Sequence, residues 1–329
     1  MVSVIIPVYN REAFVEECIC SLQAQTYQDF EVIIVEDGST DSTPAICRKL
    51  AEADSRIKLF QGDHQGVSAA RNLALEHAVG KYVFFLDSDD IIHPDLLGSL
   101  VEGMEKTDAP MGATRCAFVR HKNWEQVYQR IKQSDQPGQT EKLPFMKALE
   151  EAIHRDCPLT QIGGVMIRRD WIGQTRFNTE LFIGEDFYFV YENLVKGADT
   201  VFLKQNWYYA RVHGNNTKAR GYHGFKNRLL RRQLVWRNEE ACGRQKFANK
   251  IKGDVVGVYR IALREKDISK KDRKDITKLM KTYVRELAPA LKLANKISFY
   301  MYLYLPFTQN LLGFVEKKLR KTKRKKKTV

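Results

Sequence analysis

The chain has 329 residues, 43% of them hydrophobic, and carries 54 Lys and Arg against 40 Asp and Glu, for a formal net charge of +14. That length supports one large or two ordinary domains with a real core, and a mean hydropathy of -0.42 excludes a disordered, collagenous or multi-span membrane protein. Six cysteines without a CxxC pair, and an apolar start at Val2 without a basic leader, are read as reduced thiols and not as a disulfide framework or a signal peptide. The charge is unevenly placed: net -9 over residues 1–100, -2 over 101–200 and +25 over 201–329, with nine cations between Lys317 and Lys327. An acidic front joined to a basic rear points to an anionic surface met by the C-terminal part alone.

In chain order, Val2–Val8 is a near-continuous apolar run, the pattern of a strand covered on both faces. Phe14, Cys18, Ile19 and Leu22 follow at helical spacing. Glu31–Val35 predicts a second strand ended by Asp37-Gly38-Ser39, and Thr43-Pro44 an N-cap and first turn. Strands are expected near Arg56–Gln61 and Tyr82–Leu86, with an amphipathic helix over Ser68–Ala78 between them. Repeated βα units imply a mostly parallel, Rossmann-like sheet flanked by helices, with ligands at the carboxyl ends of its strands. Asn10, Asp37 and Asp87 fall at those ends, so three polar loops are expected to converge.

Further on, short strands are expected near Thr114–Arg120, Gly164–Arg168 and Thr200–Arg211, a polar loop over Ser134–Thr140, and a helix after Gly184. A basic helical region follows over 221–296. Its apolar positions include Leu229, Leu230, Leu234 and Val235, then Ile276, Leu279, Met280, Val284 and Leu287. The segment 297–329 is aromatic and Leu-rich before its polybasic tail. Its longest apolar stretch, Phe299–Leu305, is shorter than the roughly 20 residues a membrane span needs.

The most informative segment is Phe85-Leu86-Asp87-Ser88-Asp89-Asp90. Carboxylates two apart at a strand end suit Mg²⁺ or Mn²⁺ when a substrate diphosphate completes the shell; the alternative is an acidic turn before the helix near Pro94. Asp37 can accept from a base or ribose, or simply serve a turn. Arg71, on the first turns of the helix opened by Gly66, suits phosphate oxygens or a surface ion pair. Asp186, in Gly184-Glu185-Asp186-Phe187, suits a general base or a helix N-cap. His213, after Tyr209-Ala210-Arg211-Val212, suits a metal or phosphate site or a structural role. No Ser-His-Asp set, Walker loop, GxGxxG or zinc-type spacing is present. A nucleotidyltransferase needs a Gly-rich loop after the first strand, which Pro7–Arg11 lacks. A non-catalytic homologue or scaffold subunit is disfavoured by the intact Asp87, Asp89 and Asp186.

Together, VSVIIPVYN (2–10), VEDGSTD (35–41), GVSAARN (66–72), FLDSDD (85–90), GEDF (184–187) and YARVH (209–213) resemble the family 2 glycosyltransferases, inverting enzymes of GT-A fold. The match spans roughly residues 1–217 in the family's order. The resemblance implies a catalytic domain over 1–220, with a nucleotide-binding half to residue 111 and an acceptor half over 112–220. It places Pro7, Tyr9 and Asp37 at the nucleotide base, usually uracil, and Arg71 at the nucleotide–diphosphate region. Asp87 falls to the ribose or sugar, Asp89 and His213 to a divalent Mn²⁺ or Mg²⁺, and Asp186 to the base. Glu36 stands where many members have a second Asp, and Gly163-Gly164 where the acceptor segment is more often bulky or polar.

The implied reaction moves a sugar from a UDP-sugar to a saccharide or lipid-linked acceptor in cell-surface polysaccharide or glycolipid synthesis. Phe299, Tyr300, Tyr302 and Tyr304 followed by the basic tail suggest peripheral attachment of 297–329 to an anionic membrane, on its cytoplasmic side. Nucleic acid is not an expected partner; a second copy, in a homodimer, is one option.

Overall fold

The computed structural model describes residues 1–120, 128–129, 131, 138–153, 159, 161–213, 221–263 and 268–304. The turn after His213, residues 134–137 of the expected loop, Cys157 and the tail 305–329 lie outside the described residues. The chain forms two compact units, Met1–Asn216 and Thr217–Val329.

The first unit alternates β1 (Val2–Val8), α1 (Val15–Gln23), β2 (Phe30–Glu36), α2 (Thr43–Ala53), β3 (Ile57–Gln61), α3 (Val67–His77) and β4 (Tyr82–Phe85). It continues through β5 (Ile91–Ile92), α4 (Leu96–Thr107), β6 (Met111–Val119), β7 (Thr140–Leu143), α5 (Phe145–Ile153), β8 (Val165–Arg168), α6 (Arg169–Ile172), α7 (Glu185–Leu194) and β9 (Thr200–Arg211). Among the described residues, nine strands make one sheet in the order β3-β2-β1-β4-β8-β6-β9-β5, with β7 on β9. The first four strands are parallel. Beyond them the sheet is mixed: β8 runs antiparallel to β4 and β6, β6 and β9 are parallel, and β5 and β7 are antiparallel to β9.

Strand alternation explains the two-sided cover. Val2, Val4, Ile6 and Val8 join Val15, Cys18, Ile19 and Leu22 of α1 and Leu97, Leu100 and Met104 of α4 in one core layer. Phe85 points to the other face, edge-on to Phe177 and to Phe189 of α7; these two stack at 4.0 Å. The start of α2 differs from the expected cap. Ser42 takes the cap position without a side-chain bond, while the Thr43 hydroxyl accepts from the Arg11 N–H at 2.8 Å.

The second unit is helical: α8 (Gly221–Ala241), α9 (Gln245–Ala262), α10 (Lys270–Thr282), α11 (Val284–Leu287) and α12 (Leu293–Tyr304). Trp236, Phe225, Tyr259, Phe299 and Tyr302 are fully buried there, and Phe299 meets Tyr259 edge-on at 6.2 Å. The four rings grouped by composition as one lipid-facing set therefore divide. Helical periodicity turns Phe299 and Tyr302 into the core and leaves Tyr300 and Tyr304 outside. Among the described residues, no helix is long and apolar enough to cross a membrane.

Candidate active site

Because β2, β1 and β4 are parallel neighbours, the loops after Val8, Glu36 and Phe85 leave from one edge of the sheet. Register brings a fourth segment to them. Ile91 pairs with Tyr209, so Asp90 reaches back and accepts from Arg211 N–H at 2.8 Å. The next turn of chain sets His213 Nε2 2.8 Å from Asp89 Oδ2. Arg11 Nε lies 3.4 Å from the same oxygen, and Phe14 stacks on the His213 ring at 4.7 Å.

Asp87 faces another partner. Arg71 donates from Nη2 to Asp87 Oδ1 at 2.9 Å and from Nη1 to Glu185 Oε1 at 3.1 Å. Only 4% of Arg71 is exposed, and its guanidinium rests over the Phe177 ring at 5.2 Å. Burial pulls the guanidinium down, but Asp87, Glu185 and Asp186 outweigh it and hold it above its ordinary value. Burial raises Asp87, Arg71 opposes, and Asp89 raises it again. Glu185 is pushed to about 7 by burial and by Asp186, against Arg71. Gly184 makes the turn into α7 in the left-handed region, at φ 78. Glu185 and Asp186 thus occupy its first turn, where the helix dipole favours carboxylates. Asp186 Oδ1 accepts from Phe187 N–H at 2.6 Å.

At the third strand end, Asp37 ties β2 to the start of α3, accepting from Gln65 N–H at 3.2 Å and Gly66 N–H at 2.8 Å. His64 Nδ1 lies 2.9 Å from the Asp37 carbonyl, and its ring stands 4.8 Å from that of the exposed Tyr9. Pro7, one pair back on β1, is set against Val35. Arg11 closes the row by donating to the Tyr9 carbonyl at 3.2 Å. Contacts therefore run from Asp37 and Tyr9 through Arg11 to Asp89 and His213, and along the short Asp87–Asp89 loop to Arg71 and Glu185, next to Asp186. The structure thus brings the residues singled out in the sequence into one neighbourhood.

Three details were not visible in the sequence. Arg11 is the cation beside Asp89. Asp90 is internal, accepting from the Tyr208 hydroxyl at 2.7 Å, and burial raises it well above its ordinary value, helped by Asp87 and Asp89. Glu36 acts locally. Its carboxylate accepts from Ser39 N–H at 2.6 Å and Gln61 Nε2 at 2.8 Å, which pins the loop where a second Asp is more usual.

The donor set suits a divalent cation. A carboxylate oxygen and a ring nitrogen 2.8 Å apart can take adjacent positions on one hard ion whose remaining shell comes from substrate oxygens and water. Among the described residues, no group of three or more His, Cys, Asp or Glu is placed to hold a metal ion.

A parallel βα half with acidic strand ends, continued by a mixed half and a helix that opens on Glu185 and Asp186, is the GT-A type of fold. The family described as "Glycosyl transferase family 2" matches residues 3–175, more than half of the chain, and the chain belongs to that family. It is 43% identical over 99 residues to Glycosyltransferase GlyA of Streptococcus pneumoniae, covering 30% of this chain and 14% of GlyA. It is 34% identical over 110 residues to Glycosyltransferase GlyG of the same organism, covering 33% and 36%. The chain thus spans well under half of these curated relatives. Among solved structures, S. aureus TarS in complex with UDP-GlcNAc superposes with a TM-score of 0.70 at 18% identity, over 94% of this chain and 92% of that one. A mannosyltransferase of Pyrobaculum calidifontis in complex with GDP-Man and Mn²⁺ gives 0.52 at 17% identity, over 99% and 83%. Both likenesses concern the fold.

Proposed function

We propose that the chain is an inverting transferase moving a hexosyl or N-acetylhexosaminyl group from a UDP-sugar to a hydroxyl of a saccharide or lipid-linked saccharide. The observation that carries this is the row of contacts Asp89–His213 and Asp87–Arg71–Glu185, beside Asp186, at the parallel strand ends. The UDP-GlcNAc bound by TarS supports a uridine donor. Tyr9 and Pro7 with Asp37 flank the base, and Asp87 meets the ribose or sugar. Buried Arg71 has both Nη atoms committed to carboxylates, so its bearing on the diphosphate is exerted through Asp87. Asp89 and His213 are the residues that would hold Mn²⁺ or Mg²⁺, whose chemistry there is neutralisation of charge on the departing diphosphate.

In the reaction, the acceptor oxygen bonds to the anomeric carbon from the face opposite UDP. The carbon–oxygen bond to the diphosphate breaks with its electron pair going to UDP, and Asp186 takes the hydroxyl proton. A carboxylate cannot ionise an alcohol beforehand, so proton transfer accompanies attack. The setting that fits is cell-surface polysaccharide or glycolipid synthesis, with the chain peripheral at the cytoplasmic face of the membrane.

A screen of UDP-sugars for donor hydrolysis with Mn²⁺ or Mg²⁺ tests the reading. Asp186→Asn should lower kcat about 10²- to 10⁴-fold while UDP binding, measured by calorimetry, persists. Unchanged turnover would remove Asp186 from the role of base.

A further inference from the structure

We propose that an anionic lipid bilayer docks on a composite face of the second unit, formed by the lysine side of α10 and the outward side of α12. The inference rests on the peripheral attachment proposed above and moves it from the basic tail to folded residues. Along α12, Leu293, Ile297, Tyr300 and Tyr304 recur at helical spacing and are 74%, 54%, 37% and 53% exposed. With Lys296 and Met301 they form one open, largely apolar strip of the helix surface. Phe299, Tyr302 and Leu303 fill the core instead, so this stripe is the outward side of the helix. Along α10, Lys270, Lys271, Lys274, Lys278 and Lys281 are all exposed, while Ile276 and Met280 are buried. At 100° per residue these lysines fall within an arc of about 100°.

The two surfaces are joined. Lys281 Nζ stands 4.9 Å from the centre of the Tyr304 ring, and Tyr304 stacks on Tyr300 at 6.1 Å. Apolar side chains with tyrosines among them, edged by lysines, match the boundary between acyl chains and anionic headgroups. Without the tail, residues 221–304 carry 21 Lys and Arg against 8 Asp and Glu, a net of +13 that complements such a surface. A second copy fits less well, because two-fold pairing of this face sets its own lysines against one another.

The test is sedimentation of the full chain with vesicles of equal parts phosphatidylcholine and phosphatidylglycerol, against pure phosphatidylcholine. The wild type should pellet only with the anionic vesicles. Leu293→Ser/Ile297→Ser/Tyr300→Ser and, separately, Lys270→Glu/Lys274→Glu/Lys278→Glu should each weaken binding about tenfold or more. Circular dichroism and donor hydrolysis, unchanged in both, guard against misfolding. A third variant carries Gln at the nine cations between Lys317 and Lys327. If it alone loses binding while the two face variants pellet like wild type, attachment stands and the face is wrong. Failure of the wild type to pellet overturns both ideas. A wild-type dimer without vesicles that the serine variant dissolves gives the face to a second copy and overturns the proposal.

Discussion

Arg71 and Glu185 illustrate how far side-chain identity can be read without its setting. A cation on the first turns of a Gly-led helix suits phosphate, yet here the guanidinium is buried on an aromatic ring and spends its two terminal nitrogens on Asp87 and Glu185. The consequence is a pH effect of definite sign. Glu185, raised from its ordinary 4.5 to about 7, holds its proton more tightly folded than unfolded. Unfolding therefore releases that proton between those values, and stability falls as pH rises through the window. Glu185→Gln should flatten that part of the slope in urea titrations run from about pH 5 to about pH 8, above the ordinary carboxyl titrations and below those of the lysines. A slope unchanged by the substitution would take Glu185 out of the effect; Asp87, Asp90 and Glu192 are the other carboxyls that burial raises.

At the scale of elements, the loop before β8 shows why small residues stand where the family more often has larger ones. A Cβ on Gly163 would lie 2.6 Å from the Tyr208 hydroxyl, and Gly164 has φ +82 with a Cβ position 2.9 Å from Thr114. That hydroxyl donates to Asp90 and accepts from Asp87 N–H at 3.2 Å. Gly163→Ala should therefore cost about 1–3 kcal/mol through overpacking, seen as a lower urea midpoint, and should disturb the acidic loop along with it. The early strands and the polar loops at their ends were legible because buried parallel strands leave unbroken apolar runs, as Val2–Val8 does. The partner of Asp90 was not, since Tyr208 is 118 residues away and only the β5–β9 register joins them. Arg11 was equally hidden: its position follows the first strand, but its approach to Asp89 depends on β1 and β4 being neighbours. In α12 the composition announced aromatics without saying which would be buried, because that depends on where α9 places Tyr259.

For the whole molecule, ligand linkage gives the broadest check. UDP with Mn²⁺, at about 100 times its dissociation constant, should add about 2.7 kcal/mol of stability, visible as a higher Tm. Chelation should remove most of that gain, and His213→Ala should blunt the response to Mn²⁺, each Tm being compared with that of the same protein without metal. A shift that ignores metal altogether would take Asp89 and His213 out of the proposed ion site. The burial of Phe299 and Tyr302 also bears on how this protein can be prepared. Trimming the chain ahead of α12 to improve its handling would strip two rings from the interior and leave Tyr259 beside a void, so low yield from such a shortened protein would report an incomplete fold and reveal nothing about lipids.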